Sequence, residues 1–259
     1  MKKVLALVMC FMFVGVASVS AQTETGALFK KHAFELASEI SYMIYEEPDV
    51  MKEKGMMYGL VGSYTYHNKI MLKVEGRGSW GQVDYSNSEE IDNITDYMLE
   101  FRGLGGYDFS ISKASIITPF VGIGYRYLND DFSYERESNY LYSPIGIGFI
   151  AGLGKDWSLG GTGEYDLFWW GKQKSHFSDV LAGRNDLENR QKKGYGFRGS
   201  ITLEKKFKKV IFEGGPFIRY WKIKESETET ITYLGTPIGV GWEPENNSTE
   251  VGFMLGVKF

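Results

Sequence analysis

From residue 34 onward, polarity alternates along the chain in short runs. Phe34, Leu36, Ile40, Tyr42 and Ile44 share one parity, while Glu35, Ala37, Glu39 and Ser41 take the other. Further on, Ile70, Leu72, Val74 and Trp80 are set against Lys73, Glu75, Arg77 and Ser79. Successive side chains of an extended strand point to opposite faces, so a period of two predicts a strand with one apolar and one polar face. The pattern recurs at Tyr58–Tyr66, Tyr97–Phe109, Ile117–Tyr127, Ile145–Leu153, Leu159–Trp169, Tyr195–Leu203, Phe212–Tyr220 and Val251–Phe259, which brings the predicted strands to ten.

The connections alternate as well. Short ones fall at Asn68-Lys69, Ser110–Ala114, Gly154–Asp156 and Lys205–Lys209, and longer polar ones at Glu47–Gly55, Ser86–Asn93, Asn129–Tyr140, Lys172–Lys193 and Glu225–Asn247. Four short and five long connections, interleaved, put both ends of the strand array on the short-turn side. Ile238–Trp242 is therefore assigned to a loop, because one extra strand there would send the C-terminus to the other side. A twelve-strand arrangement would need a further strand within Lys172–Lys193. Pro119 and Pro216 fall in mid-strand, where each removes a ladder donor.

Composition says what lies outside the strands. Aromatic residues make up 15% of the chain, there are 32 glycines, and mean hydropathy is −0.25. Beyond residue 21 no apolar run is long enough for a spanning helix. A membrane protein with that profile must cross with alternating strands, so the predicted fold is all-β, a transmembrane up-and-down antiparallel β-barrel of about ten strands. Residues 1–21 read as a signal peptide: Lys2 and Lys3, an apolar Val4–Val16, then Val19-Ser20-Ala21 before a cleavage after Ala21. Residues 22–259 form one barrel domain. Cys10, the single cysteine, leaves with the leader, so the mature chain has no disulfide and no thiolate metal site. Without Lys2 and Lys3, 27 basic residues face 33 acidic ones, a net charge of −6 that argues against nucleic acid as a partner.

The last strand carries the sharpest motif. Val251, Phe253, Leu255, Val257 and the terminal Phe259 alternate with Glu250, Gly252, Met254 and Lys258, which resembles the C-terminal signal of bacterial outer-membrane barrels. That resemblance implies the outer membrane of a Gram-negative bacterium, with outer-membrane lipid and lipopolysaccharide around the barrel and the barrel-assembly machinery as a transient partner. Trp157, Phe109, Phe207 and Phe212 near the short turns, and Trp80, Tyr97, Tyr127, Trp169 and Tyr195 near the long loops, are placed to form two interfacial girdles.

The polar parity is heavily charged with both signs. Glu35, Glu39, Glu75, Glu100, Glu164, Asp166 and Glu213 are interspersed with Lys73, Arg77, Arg102, Arg126, Arg198 and Arg219. A ten-strand lumen is only slightly wider than the eight-strand case that side chains fill. Charges in such a space persist when paired, so these residues predict a lumen packed with ion pairs rather than an open pore. The chain then reads as a non-enzymatic surface, structural or binding barrel. The alternative is a narrow porin-like path for ions or small solutes. An extracellular ligand of the loops is left open, and no cofactor or metal site is predicted.

Candidate chemistry is sparse. His32 and His67 adjoin the short-turn side and read as polar surface; His176 lies in a long loop, three residues before Asp179. Asp84 ends the third predicted strand. Asp84 on one rim and His176 with Asp179 on another resemble the layout of the omptin surface proteases, ten-stranded barrels that use paired aspartates opposite an Asp-His dyad. That likeness implies a rim hydrolase in which His176 activates water. The pattern departs from the family at Ser86, which takes the second acid position, and in the order and spacing of His176 and Asp179. Tyr45-Glu46-Glu47-Pro48, Arg126-Tyr127-Leu128-Asn129-Asp130-Asp131 and Tyr140-Leu141-Tyr142-Ser143-Pro144 resemble uncharacterised porin-like outer-membrane barrels, a likeness that implies fold and address but no site.

Overall fold

A computed structural model of the protein describes residues 30–87, 90–132 and 134–259, so the leader and its cleavage site lie outside the described residues. The chain forms β1 (His32–Glu47), β2 (Met51–Asn68), β3 (Ile70–Ser86), β4 (Glu90–Tyr107), β5 (Phe109–Ser112), β6 (Ser115–Phe132), β7 (Tyr134–Gly154), β8 (Trp157–Ser175), β9 (Leu187–Gln191), β10 (Gly194–Phe207), β11 (Val210–Ile223), β12 (Glu229–Tyr233), β13 (Thr236–Gly241) and β14 (Asn246–Lys258). Antiparallel pairing runs from β1 through β2, β3, β4, β6, β7, β8, β10, β11 and β14, and β14 pairs back to β1, closing a ten-strand barrel. Closure leaves no edge, which an apolar surround demands, because an unpaired backbone group in hydrocarbon costs several kcal/mol.

The ten predicted strands all lie in the barrel, and their apolar parity faces out. Leu36, Ile40, Leu60, Leu72, Val74, Phe101, Val121, Ile123, Ile147, Phe197, Ile201, Ile218 and Leu255 are exposed in a belt around the wall. The opposite parity at the same height is buried: Glu39, Arg77, Glu100, Arg126, Glu164, Asp166, Glu204, Glu213 and Glu250 are at most 7% exposed. This barrel is inside out relative to a soluble domain, apolar where it meets its surroundings and charged where it packs.

The long connections are where the expectation needs correcting. Met51–Gly55 belongs to β2, and most of Asn129–Tyr140 belongs to β6 and β7. Spanning a bilayer takes about 9–11 residues per strand, whereas β2 has 18 and β7 has 21. The surplus stands beyond the belt as a continuation of the wall. Its residues are polar on both faces because water lies on one side and a polar interior on the other, so they show no alternation. Ile238–Gly241 indeed stays out of the barrel, since β13 pairs only with β12 in a separate hairpin. β9, inside Lys172–Lys193, adds no barrel strand either; it extends the ladder of β8 at its outer end.

Both mid-strand prolines coincide with ladder gaps. Pro119 pairs with Ile147 on β7, and on its other side the ladder breaks between Gly106 and Phe109, where β4 gives way to β5. Pro216 pairs with Phe253 on β14, while its partnership with β10 lapses between Ser200 and Leu203. The inward Gly124 also has a steric reason: a Cβ there would lie 2.2 Å from the Tyr142 ring.

Candidate functional site

Strand register writes the lumen. Glu75 lies opposite Arg102, Arg77 opposite Glu100, Glu164 opposite Arg198 and Arg219 opposite Glu250, so unlike charges are neighbours at four places around the wall, while Arg198 also lies opposite Arg219. Their side chains then reach across it. Arg77 bonds Glu39 at 2.7 Å and also Glu250, and Arg219 bonds Glu39 at 2.6 Å. Arg102 joins Glu75 at 2.6 Å to Glu164 at 2.7 Å. Arg198 holds Glu100 at 2.5 Å and Asp166 at 2.7 Å, with Glu164 at 3.2 Å. Nearer the short turns, Lys73 lies 2.7 Å from Glu75 and 3.9 Å from Glu35. Glu204 and Glu213, directly opposed on β10 and β11, are bridged by Lys258 at 2.7 Å each.

The structure brings these charged residues together in the lumen, with Arg126 the exception among them. Arg126 is buried in the lumen but makes no carboxylate pair among the described residues. Its cross-strand neighbour Glu100 is taken by Arg198. The Arg126 guanidinium instead donates to the Met98 sulfur at 3.0 Å and lies 5.3 Å from the centre of the Trp221 ring. A cavity of about 10 Å³ lined by Arg77, Arg126, Arg219 and Glu250 is scarcely room for one water.

Aromatic and sulfur-bearing side chains close the lumen further. Tyr140, Tyr142, Phe168, Trp221 and Ile223 form one buried cluster, and Met43, Met57, Val83 and Ile94 another. The Tyr142 hydroxyl donates to Glu100 at 2.7 Å, tying the first cluster to the ion pairs. The sequence signal for these plugs was weak but present: each falls on the parity that otherwise carries charge.

The end away from the short turns holds a different charge arrangement, which the sequence did not reveal. Arg136 is shared by Glu243 at 2.6 Å, Glu47 at 3.0 Å and Asp130 at 3.7 Å. Glu53, buried nearby, has one oxygen without a partner. Burial, reinforced by Glu47, pushes the Glu243 carboxyl up to about 7 against the opposing pull of Arg136.

At the rim, His176 follows β8 and enters a short helical turn, Phe177–Asp179. Its Nε2 faces Glu137 at 3.2 Å and its Nδ1 faces Asp186 at 3.6 Å. Asp186 in turn accepts from the Ser178 hydroxyl at 2.7 Å and the Ser178 amide at 3.1 Å. Burial works against it, yet Ser178, Lys174 and His176 hold the Asp186 carboxyl below the usual aspartate range. Glu137 is held low as well, by the Tyr127 hydroxyl and then by His176. Glu135, His176 and Asp179 each offer a ligand atom, all within 4.8 Å of one another, the one set among the described residues with metal-binding spacing. Both ring nitrogens of His176, however, already face carboxylates of the protein.

Asp84 is not part of this cluster. It accepts from the backbone amide of Asn93 at 3.3 Å within its own hairpin, and four strand steps around the barrel separate β3 from β8. His32 contacts the Tyr64 hydroxyl at 2.8 Å. His67, predicted as plain surface, is half-buried against Asp108 at 2.9 Å, where it helps fix the break between β4 and β5.

No family model and no curated protein sequence matches the chain. Solved structures do. The outer membrane protease OmpT from Escherichia coli is similar at a TM-score of 0.57 with 9% identity, over 93% of this chain and 99% of that one. The translocator domain of the autotransporter NalP from Neisseria meningitidis gives 0.41 at 10% identity, over 89% and 88% of the two chains. The toluene transporter TodX from Pseudomonas putida gives 0.38 at 9% identity, over 88% and 89%. The first likeness shows the fold, an outer-membrane type of β-barrel, and at that identity it shows nothing further.

Proposed function

We propose that this chain is an integral outer-membrane barrel of a Gram-negative cell, closed to solutes, that serves as a rigid surface or binding platform. The short-turn end then faces the periplasm, and the long hairpins face outward. One observation carries this reading: at belt height the lumen is crossed by paired charges and packed aromatics, with Arg77, Arg102 and Arg198 each bridging carboxylates from more than one strand. Ions passing through would have to replace those pairs one by one. The rim-hydrolase reading is weaker on this geometry, because Asp84 accepts from the Asn93 amide within its own hairpin and both ring nitrogens of His176 already face Glu137 and Asp186.

The test is planar-bilayer conductance of refolded residues 22–259, with a heat-shifted gel band confirming the folded barrel. A folded, silent protein supports the reading. Discrete current steps that change when Arg102→Ala or Glu100→Gln is introduced would replace it with the narrow channel.

A further inference from the structure

At the short-turn end the barrel carries a ring of lysines. Lys31, Lys69, Lys113, Lys155, Lys206, Lys208 and Lys209 are exposed there, distributed over the start of β1 and all four short connections. The carboxylates at the same end are largely used up. Asp108 accepts from the Thr118 hydroxyl at 2.7 Å and faces His67, while Glu204 and Glu213 point inward to Lys258. Asp156 remains exposed.

Backbone geometry shows that turn chemistry does not explain these lysines. Lys69, Lys155 and Lys208 sit at φ of 65°, 51° and 53°, the left-handed region that glycine, asparagine and aspartate enter at less cost. At the opposite end Asp49 and Asn93 hold those cheaper residues and Leu234, at φ 49°, does not; among the short turns Asp156, at φ 64°, is the one left-handed non-glycine position that is not a lysine. Three of the four short connections thus place a lysine where the local conformation favours something else. A cation at that height is what the three positions have in common.

The side chains around the lysines narrow the choice of anion. Ile70, Ile111, Leu153 and Phe207, each next or nearly next to a ring lysine, are 54–63% exposed. Lys205 Nζ lies 5.1 Å from the centre of the Trp157 ring. Beside them a recess of about 110 Å³ is lined by Lys30, Lys206, Trp157 and Ile211, together with Asp156, Ser158 and Glu204. A soluble polyanion has no use for this apolar margin. A lipid does, since its chains contact the belt while its phosphate lies level with the ammonium groups.

We infer that the short-turn rim is a binding surface for anionic phospholipid headgroups, with the lysine ring engaging their phosphates. The inference rests on the membrane orientation proposed above. It gives the barrel a preferred leaflet as well as a preferred membrane.

The probe is the full mature chain refolded into vesicles of phosphatidylcholine alone or with about one-third phosphatidylglycerol, followed by native mass spectrometry and urea unfolding. The wild type is expected to retain phosphatidylglycerol several-fold over phosphatidylcholine, and to unfold at higher urea in the mixed vesicles at low salt. That advantage should fade at high salt, as screening requires. The triple variant Lys69→Asn, Lys155→Asn, Lys208→Gly should fold at least as well, because its turns are relaxed, yet lose most of the preference. Equal retention of the two lipids by the wild type would overturn the inference, as would a triple variant that keeps the preference. Binding to isolated peptidoglycan without lipid preference would overturn it in favour of a cell-wall partner. Failure to insert into any vesicle would sink the membrane reading itself, a result distinct from insertion without selectivity.

Discussion

The interior at belt height and the interior of the outer mouth are both buried and both charged, but they are balanced differently. Through the membrane-height lumen, Arg77, Arg102, Arg198, Arg219, Lys73 and Lys258 each meet at least two acids, and those carboxylates are shared among several cations from different strands. In the mouth, Arg136 alone serves Glu47, Asp130 and Glu243. A wall surrounded by lipid cannot borrow water, so charge must be settled internally. The mouth stands in water and tolerates a surplus of carboxylate, at the cost of holding Glu243 near neutrality. The two regions show one chain solving the same burial problem under two dielectric surroundings.

Removing a belt-level cation should break that contrast most severely. Arg198→Met strands Glu100 and Asp166 and is expected to cost about 3–5 kcal/mol, the range for orphaning a buried charge, or to prevent folding. Urea unfolding followed on a heat-shift gel measures it. Arg136→Met in the mouth should cost less, about 1–3 kcal/mol, because Arg136 and Asp130 are partly exposed and Glu243 can take up a proton, and adding Glu243→Gln should restore part of the loss. Equal costs at the two sites would erase the distinction between them.

Two smaller effects sharpen it. Glu243 has its pKa raised in the folded state, so its contribution is present in acid and is lost as pH rises through about 7. The mouth of the wild type should loosen between about pH 4.5 and 7 and change little above that, by at most about 1.4 kcal/mol per pH unit for one proton, as hydrogen exchange over residues 226–245 would record. Glu243→Gln should flatten that dependence. Asp186 has the opposite sign: its lowered pKa means the anchoring of the His176 loop persists at neutral pH and fails only when acid titrates the folded carboxyl, below about pH 4. Limited proteolysis within 177–186 should begin there, and Asp186→Asn should admit cleavage already at pH 7.

Strand placement was legible because lipid on one face and packed charge on the other enforce a period of two, as at Ile70–Trp80. Membership of the lumen network was legible for the same reason, since Glu39, Arg77 and Arg198 share a parity that Leu36, Val74 and Phe197 avoid. Pairing was not. That Arg198 takes Glu100 and leaves Arg126 to Trp221 depends on which side chains reach across the lumen, a distance no local pattern encodes. The outer wall was hidden because Met51–Gly55 and Tyr134–Tyr140 are strands without an apolar face. The surroundings of His176 were hidden for a related reason: Glu137 reaches it through the register that sets Arg136 opposite Ser175, and Asp186 through a folded loop. Asp179, the acid closest in sequence among the candidates, touches His176 chiefly through a backbone bond, its amide donating to the His176 carbonyl.

The seam between β1 and β14 has a kinetic consequence. Leu36 pairs with Val257 and Tyr42 with Val251, partners more than two hundred positions apart, and Phe34 and Phe259 exchange their backbone hydrogen bonds at its end. Every other ladder of the wall links hairpin neighbours or strands only a loop apart, so this one ladder holds its largest sequence separations. The hairpins can zip early, but the loop-closure entropy of the whole polypeptide is met in a single late event. Until then the first strand presents an open apolar edge. Completion of the wall therefore waits on residues 251–259.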